Sequence, residues 1–395
     1  TPLAGGLDYR PTYILQDGLG RTVQILSAEE NPAQQRVTYT AEFGPRGEMM
    51  ARYLPYSITA RDTYLPPTPE QLKTQYAYDP VGRLIRTEAP DQTVTAVSYN
   101  DWTLTVTDAR KNTVVSESDA YGRLIRVTEP GTADHNSSST RYAYDAAGRL
   151  IQATDARGNV TQISYDSLGR KISMDDPDMG HWSYAYDAVG NLKTQIDAKG
   201  QELSFNYDEL NRLTEESFRT TADPPSQGVL ATYVYDDPAT PNGIGRLCWF
   251  TDTSGSTAFE YDPLGREVKV TKQVDFSDQF EMFIIPREYN PLNQVTRLIY
   301  PDGTDLRYEY SQQGTIDRIY SVSADSSSVA YLTNADYDAA GQLLRAEFEN
   351  GVVTSYAYDP ATLRLTVLNT RAPSGNDLQD LRYQYDPVDN LNSIQ

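Results

Sequence analysis

Tyr144-Asp145-Ala146-Ala147-Gly148-Arg149-Leu150-Ile151 is the stretch that decides the fold, because the chain repeats it. Tyr78-Asp79-Pro80-Val81-Gly82-Arg83-Leu84-Ile85 is a second copy. The Tyr-Asp pair returns at Tyr165-Asp166, Tyr186-Asp187, Tyr207-Asp208, Tyr261-Asp262, Tyr337-Asp338, Tyr358-Asp359 and Tyr385-Asp386. From Tyr144 to Tyr207 the step is 21 residues three times running, and 21 again from Tyr78 to Tyr99, Tyr289 to Tyr310 and Tyr337 to Tyr358. The other steps after Tyr207 are 26 to 28 residues, as if one loop were lengthened. Weaker copies stand at Ser118-Asp119-Ala120-Tyr121-Gly122-Arg123, Tyr289-Asn290-Pro291-Leu292-Asn293 and Tyr310-Ser311-Gln312-Gln313-Gly314. Decayed ones stand at Asp17-Gly18-Leu19-Gly20-Arg21 and Phe43-Gly44. A fixed period of this size marks units that bury surface only against their neighbours.

Asp-x-x-Gly is the signature of a type I turn, with Asp first, Pro favoured second and Gly fourth. Pro takes the second place after Asp79, Asp262, Asp359 and Asp386. The carboxylate accepts from backbone N–H groups inside the turn. A left-handed Gly then makes a three-residue hairpin loop with a bulge. The structural turn residues are therefore Asp79 and Gly82, Asp145 and Gly148, Asp166 and Gly169, Asp187 and Gly190, Asp262 and Gly265, and Asp338 and Gly341. Where Gly is missing, Asn211, Asn293 and Asp389 stand in its place, and Asn and Asp tolerate positive φ best.

On either side the period is two. Tyr184-Ala185-Tyr186 and Tyr76-Ala77-Tyr78 put two rings on one face of an incoming strand. Arg-Leu-Ile with nearby Thr and Val makes the outgoing one. Second turns, such as Asp155-Ala156-Arg157-Gly158 and Asp197-Ala198-Lys199-Gly200, close the unit. Strands of about 7 residues span ~23 Å. Hairpins in series hide their edges against the next unit. The expected fold is all-β: repetitive antiparallel hairpins stacked into a long curved or spiralling sheet. Divergent lead-in repeats are expected over 1–70 and the regular array over 71–395, with 58–75 (Pro66-Pro67-Thr68-Pro69) the best place for a break. The start lacks an initiator Met and the pattern runs on to Gln395, so the chain reads as an internal piece, incomplete at both ends.

Composition narrows the partners. The 395 residues carry 55 acidic and 34 basic side chains, a net charge of -21, without the basic cluster that phosphate binding needs. Neither nucleic acid nor a membrane span is expected, since no run approaches 18 apolar residues. One cysteine, Cys248, excludes an internal disulfide framework, and two histidines leave little for zinc. Thirty tyrosines stand against 9 phenylalanines. Tyr buries its ring and keeps its hydroxyl on water or a partner, which suits broad, half-wet sheet faces better than a thick dry core.

Tyr-Asp-x-x-Gly-Arg-Leu at a 21-residue step resembles the YD repeat of the RHS family, which includes the teneurins, over nearly the whole chain. The lead-in Asp17-Gly18-Leu19-Gly20-Arg21, Phe43 and Tyr53-Leu54-Pro55 is similar to that of the B and C components of insecticidal toxin complexes and related virulence proteins. So is the end, Tyr385-Asp386-Pro387-Val388-Asp389-Asn390-Leu391. The resemblance implies a spiral β sheet wound into a hollow, secreted or cell-surface shell enclosing a polypeptide cargo, often a toxin domain. An upstream β-propeller and a downstream Asp-based self-cleavage site belong to that family pattern. The chain has no Asp-Pro-x-Gly-Leu, and Asp262-Pro263-Leu264-Gly265 and Asp79-Pro80-Val81-Gly82 read as repeat turns, so no cleavage residue is carried over.

No other motif points to catalysis, and no cofactor is expected. Asp252-Thr253-Ser254-Gly255 has one residue too many for an aspartic protease and falls where a hairpin turn is due. Asp175, Asp176, Asp178 and His181 lack the spacing of a calcium loop and read as a solvated turn. Cys248, beside Trp249 and Phe250, reads as a buried inert thiol. Arg83, Arg149, Arg170 and Arg266 read as partners of a carboxylate or a Tyr ring rather than an anion site. Asn136-Ser137-Ser138 and Asn159-Val160-Thr161 are sequons only in a eukaryotic source. The tyrosines Tyr78, Tyr144, Tyr165, Tyr186, Tyr207, Tyr261, Tyr337, Tyr358 and Tyr385 mark the repeat. An encapsulating wall, joined to other segments of the same shell, is the first reading; an extracellular adhesion or glycan-binding array is the alternative; an enzyme comes last.

Overall fold

The computed structural model describes residues 11–29, 31, 33–129, 131, 137–220, 225–276, 279–323 and 325–395. These are all β: 33 strands form a long antiparallel sheet, with no helix among the described residues. His135 and Asn136 lie outside them. The chain divides into two compact units, one of Thr1–Ser98, Thr105–Thr113 and Glu288–Gln395, the other of Tyr99–Leu104 and Val114–Arg287.

The second unit is the more regular. Ser138–Tyr144, Leu150–Thr154, Val160–Tyr165, Lys171–Asp176, Gly180–Tyr186, Leu192–Ile196 and Glu202–Tyr207 pair in chain order, each antiparallel to the next. Side chains directly opposite one another share a face. Tyr142 thus stands against Ala153 and then Thr161, while Ile163, Met174 and Trp182 follow one another across three strands. The opposite face carries Ala143, Gln152, Gln162, Asp175 and His181 in one row and Ser164, Ser173 and Ser183 in another. One face is aromatic and apolar, the other polar, as in a sheet that meets two different environments. Regular strands have 5 to 7 residues, but two of the hairpins are longer: Leu213–Thr220 with Ser226–Tyr235, and Glu267–Phe276 with Gln279–Tyr289.

Little is deeply buried. In the second unit Ala231 and Cys248 are the buried hydrophobic residues among those described; the first unit has Leu26, Val37, Ala41, Ala51, Tyr53, Ala335 and Ala346. The accessible surface is 24137 Å², where a compact monomer of this mass exposes roughly 15,500 Å². Units this thin cannot form a two-sided core.

The first unit starts irregularly. β1 (Thr12–Gln16) pairs with β2 (Thr22–Ala28), and β2 with β3 (Gln34–Phe43). β3 then divides its other edge. Gln34–Val37 pair with β5 (Tyr56–Thr59), and Ala41–Phe43 with β4 (Met49–Tyr53). β4 passes the ladder on to β6 (Lys73–Tyr78), skipping β5 and the strand-free 60–72 segment. At this branch sit the fully buried Gln24, Leu26, Val37 and Thr40. The Gln24 amide spans the backbone of Leu65: its Nε2 donates to the Leu65 carbonyl at 2.9 Å and its Oε1 accepts from the Leu65 N–H at 3.1 Å. Early and late hairpins of this unit also meet. Arg36 donates to the Gln313 carbonyl at 3.2 Å and Arg110 to Asp386 Oδ2 at 3.0 Å, each across more than 270 residues.

Candidate functional site

The repeat turns form one chemical device, copied along the sheet. In the turn that starts at Asp145, the Gly148 N–H donates to the Asp145 carbonyl at 3.0 Å and the Asp145 N–H to the Arg149 carbonyl at 3.0 Å. The same two bonds recur at Asp79 with Gly82, Asp166 with Gly169, Asp187 with Gly190, Asp262 with Gly265 and Asp338 with Gly341. Each of these glycines has φ between 81° and 105°. The ladder slips by one residue just before Tyr78, Tyr144, Tyr165, Tyr186, Tyr207, Tyr261, Tyr337, Tyr358 and Tyr385. Asn211, Asn293 and Asp389 sit at φ of 62°, 63° and 73° in the glycine position. The turn at Asp359 is one residue wider: the Leu363 N–H donates to the Asp359 carbonyl at 2.8 Å, the Asp359 N–H donates to the Arg364 carbonyl at 2.9 Å, and Leu363 takes φ 58°. An added residue there moves the left-handed position onto a side chain that does not favour it.

The aspartates use both carboxylate oxygens. Asp166 Oδ1 accepts from the N–H groups of Leu168 and Arg170, both at 2.9 Å, and Oδ2 from Arg170 Nε at 2.7 Å. Asp79, Asp145 and Asp262 repeat the pattern with Arg83, Arg149 and Arg266. The backbone N–H of Arg149 and of Arg170, with each guanidinium behind it, holds the Asp145 and Asp166 carboxyls below the usual range. A carboxyl lowered in the folded state adds stability above its unfolded pKa, about 3.9, and loses it as pH falls through the folded value. The melting-temperature gap between the parent and Asp166→Asn should therefore be constant from pH 7 to about 5 and shrink below about 4. A gap that persists undiminished at acid pH contradicts the assignment.

The residue that closes the turn also reaches forward. Arg149 Nη1 donates to the Asp166 carbonyl at 2.8 Å, Arg123 to that of Asp145 at 3.2 Å and Arg364 to that of Asp386 at 3.0 Å. Gln294 and Gln342 also reach forward, but to the carbonyls at the left-handed positions of the next turns, Gly314 and Leu363. The Arg149 guanidinium lies 5.1 Å from the Tyr165 ring centre, and Arg170 4.8 Å from that of Tyr186. The tyrosines reach back. Tyr165 donates its hydroxyl to the Leu150 carbonyl at 2.8 Å, Tyr186 to Lys171 at 2.8 Å and Tyr207 to Leu192 at 3.0 Å. Tyr78, Tyr144, Tyr261, Tyr337 and Tyr358 do the same to the preceding hairpin, and Tyr385 lies under Arg364. Burial pushes the phenols of Tyr78, Tyr207, Tyr261, Tyr337 and Tyr358 up. Neighbouring hairpins are thus pinned at one edge by a tyrosine hydroxyl reaching back and, in most of these units, by an arginine or glutamine reaching forward.

Gly148 tests the turn. Added Cβ atoms there find only the Arg123 side chain, at 4.0 Å, so space is not the obstacle. Gly148→Val should lose about 1–3 kcal/mol to backbone strain, and Gly148→Asn much less, as Asn211 and Asn293 indicate. Equal melting of both with the parent would contradict the turn.

The remaining candidate residues fall apart chemically. Asp252 pairs with Gly255 across a two-residue turn, Thr253-Ser254. Asp176 Oδ1 accepts from Asp178 and Met179, and His181 Nδ1 lies 2.7 Å from Asp175 on the exposed face. Among the described residues no three His, Cys, Asp or Glu side chains gather as a metal site. Cys248 is fully buried against the backbone of Asp237, Gly243 and Arg246. Asn159 gives its amide to Asp155. No described helix is long and apolar enough to cross a membrane.

A family model for the teneurin YD-shell matches residues 48–276, and one for the RHS repeat matches 337–377. Toxin subunits YenC2 and YenC1 of Yersinia entomophaga are 54% identical over 63 residues and 48% over 60 residues, 15% and 14% of this chain and 6% of each relative. The crystal structure of TcdB2-TccC3 superposes with a TM-score of 0.88 at 22% identity, covering 98% of this chain and 22% of that one. The Photorhabdus luminescens Tc holotoxin pore gives 0.85 at 22%, over 98% and 22%. At that identity the likeness is one of fold, and the chain spans a small part of each relative.

Proposed function

The chain belongs to the teneurin YD-shell family, and on that premise we propose that it is a non-catalytic wall segment of a secreted or cell-surface hollow shell enclosing a polypeptide cargo, a toxin domain. The observation that carries the reading is the surface of 24137 Å² on a sheet with one tyrosine face and one polar face. A sheet this thin gains cover for its aromatic face by curving around an interior. The turn ladder is then structural: Asp, Gly, Arg and Tyr fix the step between hairpins instead of binding a ligand. We propose, too, that residues 1–70 are a divergent lead-in, the branch at β3 acting as an array's cap does, and that 71–395 are the wall. Other segments of the same shell are its neighbours.

Protease protection tests this. In the product of the whole open reading frame, a cargo segment should survive trypsin until guanidinium unfolds the wall, then be cut. Immediate cutting of every segment outside the sheet, together with saturable binding to a glycan array, would replace the shell with the adhesion reading.

A further inference from the structure

Many tyrosines along the sheet are covered by the protein's own cations. Tyr144, Tyr165, Tyr186, Tyr235, Tyr261 and Tyr385 each lie within 5.6 Å of an arginine. One group on the same kind of sheet is arranged otherwise. In the first unit, Tyr300, Tyr308 and Tyr331 line a cleft together with the apolar Leu306 and Ile319 and the polar Asp302 and Thr304. No described cation stands over any of these three rings, and each hydroxyl is without a described hydrogen-bond partner.

Local sequence explains the departure. Tyr300 takes the first position of a second turn, where other units have Asp155 or Asp197; its carbonyl accepts from Gly303 at 2.9 Å. The turn therefore carries a ring at its start and Asp302 at its tip. The Asp302 carboxylate accepts from Thr304, its Oδ1 from the N–H at 2.9 Å, with no described ion pair to neutralise it. Across the hairpin, Tyr308 stands opposite Ile319. Ser328–Tyr337 then bulges: Ile319 pairs with Leu332 and Tyr320 with Ala330, leaving Tyr331 as the extra residue. A bulge re-aims a side chain, and this one brings a third ring to the cleft. Tyr300 and Tyr331 remain 44% and 48% exposed.

Ring faces attract cations, and a nearby carboxylate supplies the counter-charge. We propose that this cleft is a receptor for the cationic side chain, arginine or lysine, of a bound polypeptide. The chemistry rests on the cleft alone; that the polypeptide is the enclosed cargo rests on the shell reading. Charge complementarity selects this occupant. A sugar also stacks on tyrosine, but the unpaired Asp302 and the net charge of -21 favour a basic partner.

Saturation-transfer NMR on the intact chain decides it, with N-acetyl-arginine methylamide as the probe, its neutral norleucine counterpart and methyl glucoside as comparisons. The arginine probe should bind and the norleucine one should not. Tyr331→Leu and Asp302→Asn, both at exposed positions, should each weaken the arginine signal at least threefold, while Tyr165→Leu in the ladder leaves it unchanged. Equal binding of norleucine, or preferential binding of the glucoside, overturns the cationic occupant. An unchanged signal in both cleft variants overturns the site. If arginine binds as expected but the protease experiment finds no protected cargo, the cleft stands and the shell falls.

Discussion

Gly255→Ala should cost about 4 kcal/mol, more than any other single substitution considered above. Gly255 has φ 140°, a region that L side chains scarcely enter, and an added Cβ would stand 2.1 Å from the Gln273 carbonyl oxygen in the neighbouring strand. That neighbour is backbone, in register with Gly255 through its pairing with Val274, and cannot rotate away. Strain and overlap therefore add. Because the strands around Gly255 pair only with their neighbours in the chain, the damage should separate the hairpins on either side. Urea unfolding followed by tryptophan fluorescence should show one transition in the parent and an early extra one in the variant. A variant within 1 kcal/mol of the parent would show that the two strands are not packed as described.

Gln24→Leu should cost about 2–6 kcal/mol, although the side chains are similar in size and the site is fully buried. The amide satisfies both backbone groups of Leu65 and donates to Thr40 Oγ1 at 3.2 Å. Leucine would leave the Leu65 N–H and carbonyl unpaired, each at about 1–3 kcal/mol. The 60–72 segment should then lift from the branch, giving fast hydrogen exchange at Leu65 and early cleavage there, while the Asp145–Gly169 turns stay protected. Slow exchange at Leu65 in the variant would refute the clamp.

Much of the fold was legible because its signals are local. Asp first and Gly fourth determine a turn from four residues, and Tyr-Ala-Tyr gives the strand face from three. The exchange of Gly for Asn at 211 and 293 speaks for φ directly. The forward bond of Arg149 to Asp166 was not legible, since it joins residues of adjacent hairpins whose alignment arises only when they stack. The sequence did hold one clue: Gln294 and Gln342 replace Arg at the place where a donor is kept. Gln24 gave no signal at all, because a buried clamp on a remote backbone has no period. The division of β3 between two partners was hidden for the same reason, and the turn at Asp359 was obscured by one added residue.

A sheet that walls an enclosure must curve around an interior. Electron cryomicroscopy of the product of the whole open reading frame measures this most directly. Density should show this sheet curving around an interior, its tyrosine face inward, with weak, unfolded polypeptide density inside. A flat sheet with both faces in solvent, or one closed on a dry core with no interior space, would contradict it.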